Sequence, residues 1–145
     1  MILREPAGPE EYPAIVDVWR SAVAATHDFL AAEHFAEIER ALPGDYLPNV
    51  TLTVADDADR IVGFSGVAEG RLEMLFVHDD VRGTGVGTLL LNDAVVRLGA
   101  TELDVNEQNP QAVGFYLARG FTQTGRSELD GDGRPYPLLT LEFAP

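Results

Sequence analysis

Apolar positions along the chain recur in two periods. From Tyr12 to Val23 they fall three and four residues apart, at Tyr12, Ile15, Val16, Trp19, Ala22 and Val23, which is one face of an α-helix. Gly8-Pro9-Glu10-Glu11 precedes that face, with Pro in the first turn and acids at the positive end of the dipole. A break at Thr26-His27-Asp28 leads to a second, shorter helix carrying Phe35, Ile38 and Leu42, which Pro43-Gly44 ends; the stretch to Asn49 reads as loop. Met1–Pro6, Thr51–Ala55, Arg60–Ala68 and Arg71–His78 read as strands, with turns at Asp56–Asp59 and Glu69-Gly70. A third helix over about Val86–Leu98 is apolar on most of its circumference and is expected to be buried. Glu102–Asn106 reads as a strand. Asn109-Pro110 caps and opens a fourth helix to about Arg119, and Gly120 suits its left-handed C-terminal cap. Phe121–Asp130 and Leu138–Phe143 are expected strands, joined by Gly131-Asp132-Gly133-Arg134-Pro135. Seven strands, several in adjacent hairpins, and four interspersed helices predict an α/β fold: a mixed central sheet in a three-layer sandwich. At 145 residues, with no linker or repeat, one domain over 1–145 is expected.

Charge narrows the function classes. Ten basic residues against 24 acidic ones give a net charge of −14. Such a chain repels nucleic-acid phosphates and anionic membrane surfaces and favours a cationic substrate or partner. All ten basic residues are Arg. The absence of Lys removes Schiff-base chemistry, a P-loop lysine and a lysine general base. The absence of Cys removes disulfides, thiolate nucleophiles and zinc–thiolate sites. Three scattered His give no metal-ligand spacing, so no metal is expected. No secretory segment and no bilayer-length apolar run are visible, so a cytoplasmic location is expected.

The chemistry-bearing stretch is Arg82-Gly83-Thr84-Gly85-Val86-Gly87-Thr88. A strand runs into a glycine-dense turn that opens a helix. Backbone N–H groups can crowd an anion there, the helix dipole favours negative charge, and Arg82 adds a cation. The same glycines would also serve a plain tight turn. A dinucleotide fingerprint fails, because its third glycine position falls at Thr88, although Asp104 lies at a tolerable distance for ribose binding.

Arg82-Gly83-Thr84-Gly85-Val86-Gly87 resembles the R/Q-x-x-G-x-G/A motif of the GNAT superfamily of N-acetyltransferases. Downstream, Asn109-Pro110-Gln111-Ala112-Val113-Gly114-Phe115-Tyr116 with Gly120-Phe121 is similar to that family's N-x-x-A-x-x-F-Y and Gly-Phe pattern. The element order matches the family fold across nearly all of the chain. Ala25–Leu30, Val105–Asn109 and Gly125–Glu128 further resemble its bacterial YjaB-like branch. Members of that branch acetylate lysine, including their own, and a chain without Lys offers only its N-terminal amine for self-modification.

The resemblance implies acetyl-CoA as cosubstrate and a primary amine as acceptor. It places the diphosphate on Arg82–Thr88, the thioester and pantetheine along Leu75, Phe76 and Val77, and a pantetheine contact on Asn109. Asn109 is also a plain helix N-cap. Tyr116 matches the family's general acid, a phenol that is protonated at neutral pH; its other reading is a core aromatic. Glu73, two residues before Leu75 and on its face by strand alternation, is a candidate general base. The alternative is a solvated strand carboxylate. His27, in the helix break where the family forms its acceptor pocket, could bind substrate or take its proton, or merely cap the junction. His34 and His78 are expected at the surface. A non-catalytic acyl-CoA sensor on the same fold is the rival reading, and Tyr116 argues against it. The acceptor is expected to be cationic, a small molecule or a basic peptide, drawn by His27, Asp28, Glu33 and His34 at the junction and by Asp130-Gly131-Asp132 across the pocket. The assembly is expected to be a monomer or homodimer.

Overall fold

The computed structural model describes residues 1–143. Seven strands form one mixed sheet: β1 (Ile2–Arg4), β2 (Thr51–Asp57), β3 (Arg60–Ala68), β4 (Arg71–Val77), β5 (Glu102–Asn106), β6 (Phe121–Ser127) and β7 (Leu138–Phe143). Their spatial order is β1-β2-β3-β4-β5-β7-β6, antiparallel throughout except for β4 with β5. Four helices cover the two faces: α1 (Tyr12–Thr26), α2 (Ala32–Ala41), α3 (Val86–Leu98) and α4 (Pro110–Leu117). One core cluster holds α1 against β2 and β3 around Ile15, Trp19, Val54 and Phe64. On the other face Leu91 and Ala94 of α3 and Tyr116 of α4 pack on Leu72, Leu103 and Leu141. The expected three-layer α/β sandwich of seven strands and four helices is the fold observed.

The differences from the sequence expectations have local causes. The stretch after α2 is helical rather than loop: a wide turn over Leu42–Tyr46 and a 3-10 turn over Leu47–Asn49. Pro43 sits in the first turn, where its missing N–H costs nothing, and the winding buries Leu42 and Leu47 in the α1 core. Only one side of α3 is covered, through Val86, Leu90, Leu91 and Ala94, while Val96 is 85% exposed. The β2–β3 hairpin turns on Ala58 and Asp59 alone, both at positive φ, and Asp56 and Asp57 lie in the strand. α4 stops at Leu117, two residues before Arg119, and β6 stops at Ser127 rather than Asp130.

The N-terminal strand is clamped by charge. Arg4 bonds both oxygens of Glu11, at 2.8 and 2.9 Å, and Asp56 at 2.9 Å. The Ala7 N–H donates to Glu11 at 2.6 Å. The Arg4 guanidinium, helped by that N–H, holds the Glu11 carboxyl down to about 2. A depressed carboxyl pKa contributes stability that is complete above its unfolded value, about 4.3, and is lost as pH falls through the folded value. Glu11→Gln should therefore be less stable than the parent above about pH 4.3, with the gap closing toward pH 2. Urea melts across that range check it, and a gap independent of pH would show that the clamp is not electrostatic.

Candidate active site

β4 and β5 pair at only two positions, Arg71 with Glu102 and Leu72 with Leu103, and then part. β5 stays with β7 over five pairs, and β4 stays with β3. The side of β4 that faces the gap follows from its ladder. His78 donates its N–H to Val62 O at 2.8 Å, continuing the register of Val77 with Gly63. Hydrogen-bonded pairs alternate in an antiparallel ladder, so Phe76 and Met74 spend their backbone groups on β3. Leu75 and Val77 turn theirs toward the gap. Of the three strand residues singled out in the sequence, Phe76 therefore offers its ring and not its N–H.

Glu73 reaches the gap by a bulge. Gly66 pairs with Met74 but Val67 pairs with Leu72, which leaves Glu73 as the extra residue of β4. Simple alternation put Glu73 on the face of Leu75. The bulge breaks that alternation, so Leu72 and Leu75 both join the core beneath α3, and the half-exposed Glu73 borders the cavities on either side of the split. Arg71 lies 3.6 Å from its carboxylate.

A channel of about 580 Å³ runs from the split to the start of α3. Its outer end is the Arg82–Thr88 loop. Gly83 and Gly85 sit at φ 78° and 93°, and a Cβ on either would meet nothing within 4 Å. They are needed for their left-handed backbone, and the space above the loop is open. The first-turn N–H groups of α3 have no partner within the helix. Two arginines flank the loop. Arg82 bonds Asp79 at 3.2 Å and also Gln111; Arg119 lies 3.9 Å over the Phe115 ring and bonds Thr88 Oγ1 at 3.1 Å. An extended anion with a long neutral arm fits these donors and this shape. The sequence reading missed Arg119 and Phe115, although their i, i+4 spacing at the end of α4 was a usable signal.

Tyr116 and Asn109 line the inner part of the same channel. The Asn109 N–H donates to Asn106 O at 3.0 Å, and its Oδ1 caps α4 by accepting from Ala112 N–H at 3.2 Å. Its side-chain N–H group is the part left for a ligand. Tyr116 is only 8% exposed, and its phenol has no hydrogen-bond partner among the described residues. Burial pushes the phenol above its usual value, so it keeps its proton at neutral pH.

A second cavity, of about 460 Å³, opens on the α1–α2 face. Trp19, Ile38 and Phe76 form an apolar wall, and Asp45, Asp130 and Asp132 supply carboxylates. The β6–β7 loop is strapped over it. Tyr46 donates to Asp132 at 2.7 Å, Arg134 bonds Glu37 at 3.1 Å, and the Ala31 N–H donates to the Tyr136 hydroxyl at 3.0 Å. Asp130-Gly131-Asp132 lies across the pocket as expected. Asp28, Glu33 and His34 do not line it. His34 and His78 are half-buried rather than at the surface: His34 bonds Tyr136, and His78 caps the turn after β4 by accepting from Asp80 N–H.

The two cavities share five bordering residues: His27, Glu73, Met74, Phe76 and Asn106. His27 is half-buried at the end of α1. Thr26 Oγ1 gives its one proton to Ala22 O at 2.7 Å, so it must accept from His27 Nδ1, also at 2.7 Å. The neutral ring is therefore the Nδ1–H tautomer with its lone pair on Nε2. Among the described residues no group of three His, Asp or Glu could hold a metal ion, and no helix is long and apolar enough to cross a membrane.

The family model described as an acetyltransferase (GNAT) domain matches residues 19–136. The chain is 47% identical over 135 residues to the peptidyl-lysine N-acetyltransferase YjaB of Salmonella typhimurium, covering 92% of each. Its fold superposes on the solution structure of apo-form YjaB from Escherichia coli with a TM-score of 0.88, at 42% identity and 99% coverage of both chains. PaiA N-acetyltransferase from Thermoplasma acidophilum, solved in complex with coenzyme A, shares the fold with a TM-score of 0.73 at 17% identity, over 99% of this chain and all of that one.

Burial pushes the His27 imidazole below its usual value, and Asp28 partly offsets that. In an NMR titration the His27 ring should change charge below the pH at which a free imidazole does, about 6.5. Asp28→Asn should move it lower still. A His27 that titrates at or above the free value would remove the case for a neutral, base-competent ring.

Proposed function

The chain belongs to the GNAT acetyltransferase family, and on that footing we propose that it transfers an acetyl group from acetyl-CoA to the side-chain amine of peptidyl lysine. The observation that carries the reading is the meeting of two cavities at the β4–β5 split. The glycine loop, the head of α3 and two arginines suit the diphosphate of the donor. The apolar wall of the other cavity suits a four-carbon stem, and Asp45, which unlike Asp130 and Asp132 is not paired with Arg134, suits the ammonium at its end. The YjaB relatives are peptidyl-lysine acetyltransferases by name, which supports the same acceptor.

The reaction needs a neutral amine, a polarised thioester carbonyl and a proton for the departing sulfur. His27 Nε2, or Glu73 through water, removes the ammonium proton. The Leu75 and Val77 N–H groups, free of the β3 ladder, stabilise negative charge on the thioester oxygen, and Asn109 Nδ2 steadies the pantetheine arm. As the amine nitrogen bonds to the carbonyl carbon, the C–S bond breaks and Tyr116 donates its proton to the sulfur. The base, having passed the ammonium proton to solvent, takes the second amine proton, and solvent returns one proton to Tyr116, so one proton is released in all.

Tyr116→Phe keeps the ring and its packing and removes the donor. Its kcat should fall roughly 10²–10⁴-fold, with affinity for acetyl-CoA little changed. An unchanged kcat would move the acid to water or another residue. Steady-state assays of released thiol measure both quantities.

Acceptor charge gives a second test. Lysine peptides flanked by basic residues should have a higher kcat/KM than peptides flanked by neutral ones. The advantage should shrink from low salt to about 0.15 M, where the screening length is about 8 Å. No advantage at low salt would mean that the cavity carboxylates do not select the acceptor, and no turnover of any lysine peptide would overturn the acceptor assignment.

A further inference from the structure

We infer that Asn106 is a further catalytic residue, whose side-chain oxygen accepts an N–H of the attacking amine; the inference rests on the amine-acceptor reading above. Three polar side chains border both cavities, one from each of three elements: His27 from the end of α1, Glu73 from β4 and Asn106 from β5. The first two were candidates by residue type. The third is placed by the fold.

Asn106 is the last residue of β5, directly across the split from the β4 wall. Leu103 and Val105 point into the core beneath α3 and α4, so alternation puts Asp104 and Asn106 on the opposite face, and of these two only Asn106 borders the acceptor cavity as well as the channel. Its backbone is fixed from two sides. The Asn106 carbonyl accepts from Asn109 N–H at 3.0 Å, and the neighbouring Glu107 N–H donates to Pro137 O at 2.9 Å. Asp104, two residues back on the same face, has both carboxylate oxygens engaged, by Thr140 and by Arg71, each at 2.8 Å. The Asn106 amide is half-buried and has no hydrogen-bond partner among the described residues. A partly buried amide aimed at a reaction cleft and left without a partner is fitted to bond a ligand.

The chemistry states which bond. A neutral primary amine carries two N–H groups and a lone pair. With the lone pair on the thioester carbon, both N–H groups point away from it. One becomes the proton that the base removes as the C–N bond forms and the C–S bond breaks. The other remains in the product amide, so its partner must accept a hydrogen bond without taking the proton. A carboxamide oxygen does that, and it also favours the positive charge that grows on nitrogen during attack.

The test compares Asn106→Ala and Asn106→Asp with the parent on a lysine peptide across pH, alongside calorimetric binding of CoA. Alanine removes the acceptor. Aspartate keeps an acceptor oxygen and loses the N–H donor. Asn106→Ala should lower kcat/KM for the peptide ten-fold or more and leave the CoA Kd within two-fold, and Asn106→Asp should recover most of the loss at its own pH optimum. Parental kcat/KM in Asn106→Ala overturns the inference. So does an aspartate variant as slow as alanine with CoA binding intact, because the N–H would then be the needed group. A CoA Kd that rises in step with the loss of kcat/KM overturns it as well, because the residue would then serve the donor. Should the alanine variant fail to fold, Asn106→Leu keeps the volume and is read the same way. If the parent acetylates no lysine peptide, that assignment fails on its own, and the same variants are read on whichever amine the parent does acetylate.

Discussion

β4 and β5 lie side by side for two residue pairs and then diverge, and the remainder of the site depends on that parting. A sheet that stayed zipped would pair the N–H groups of Leu75 and Val77 and leave no room between its strands. Backbone N–H groups withheld from a ladder must find other partners, and a ligand lying along the strand can supply them. The gap also joins the two faces of the sheet. The channel beneath α3 and the cavity beneath α1 and α2 meet there, so a donor and an acceptor can approach from opposite sides.

The split persists because each strand is committed elsewhere. β5 is held by β7 over its full length, and its Leu103 and Val105 are locked in the core with Leu139 and Leu141. β4 is held by β3, and its Phe76 and Met74 pack toward α1 while Leu75 and Val77 pack toward α3. At the root of the split Arg71 bonds Glu102 and Asp104 of β5, which ties the strands where they still touch. The bulge at Glu73 comes directly after the last paired residue. It breaks the alternation of the strand so that the Glu73 carboxylate borders both cavities.

Local patterns in the sequence carry the helices, the strands and the phosphate loop. Ile15, Val16, Trp19, Ala22 and Val23 recur at helical spacing because one face of α1 must be buried, and Gly83 and Gly85 stand where φ is positive. The split itself has no such signature, since it arises from register between residues thirty apart in sequence. Strand alternation therefore put Glu73 on the face of Leu75, and it could not tell that Phe76, between Leu75 and Val77, spends its N–H on β3. Asn106 reads as an ordinary strand end until the fold sets it, like Glu73, on the border of both cavities. The winding after Leu42 was hidden by Pro43-Gly44, a strong breaker pair whose proline falls where a helical turn tolerates it. Tyr116, Asn109 and the glycine loop were legible through short-range motif spacing, and each lines the channel.

One physical cause prepares the proposed acid and a proposed base together. Burial disfavours whichever form of a group is charged. For the His27 imidazole that is the protonated form, so its value falls and Nε2 is free to accept at neutral pH. For the Tyr116 phenol it is the deprotonated form, so its value rises and the proton is retained. A phenol so raised is a weak acid toward a thiolate in water. In the proposed mechanism the departing thiolate forms in the same channel and loses hydration as well, which raises the thiol in the same direction. The two displacements run in the same direction, so the mismatch between the proposed donor and acceptor is smaller than the phenol's shift alone would make it. Desolvation at the split thus keeps both groups in their neutral forms at neutral pH, the forms in which the proposed base can accept a proton and the proposed acid can give one.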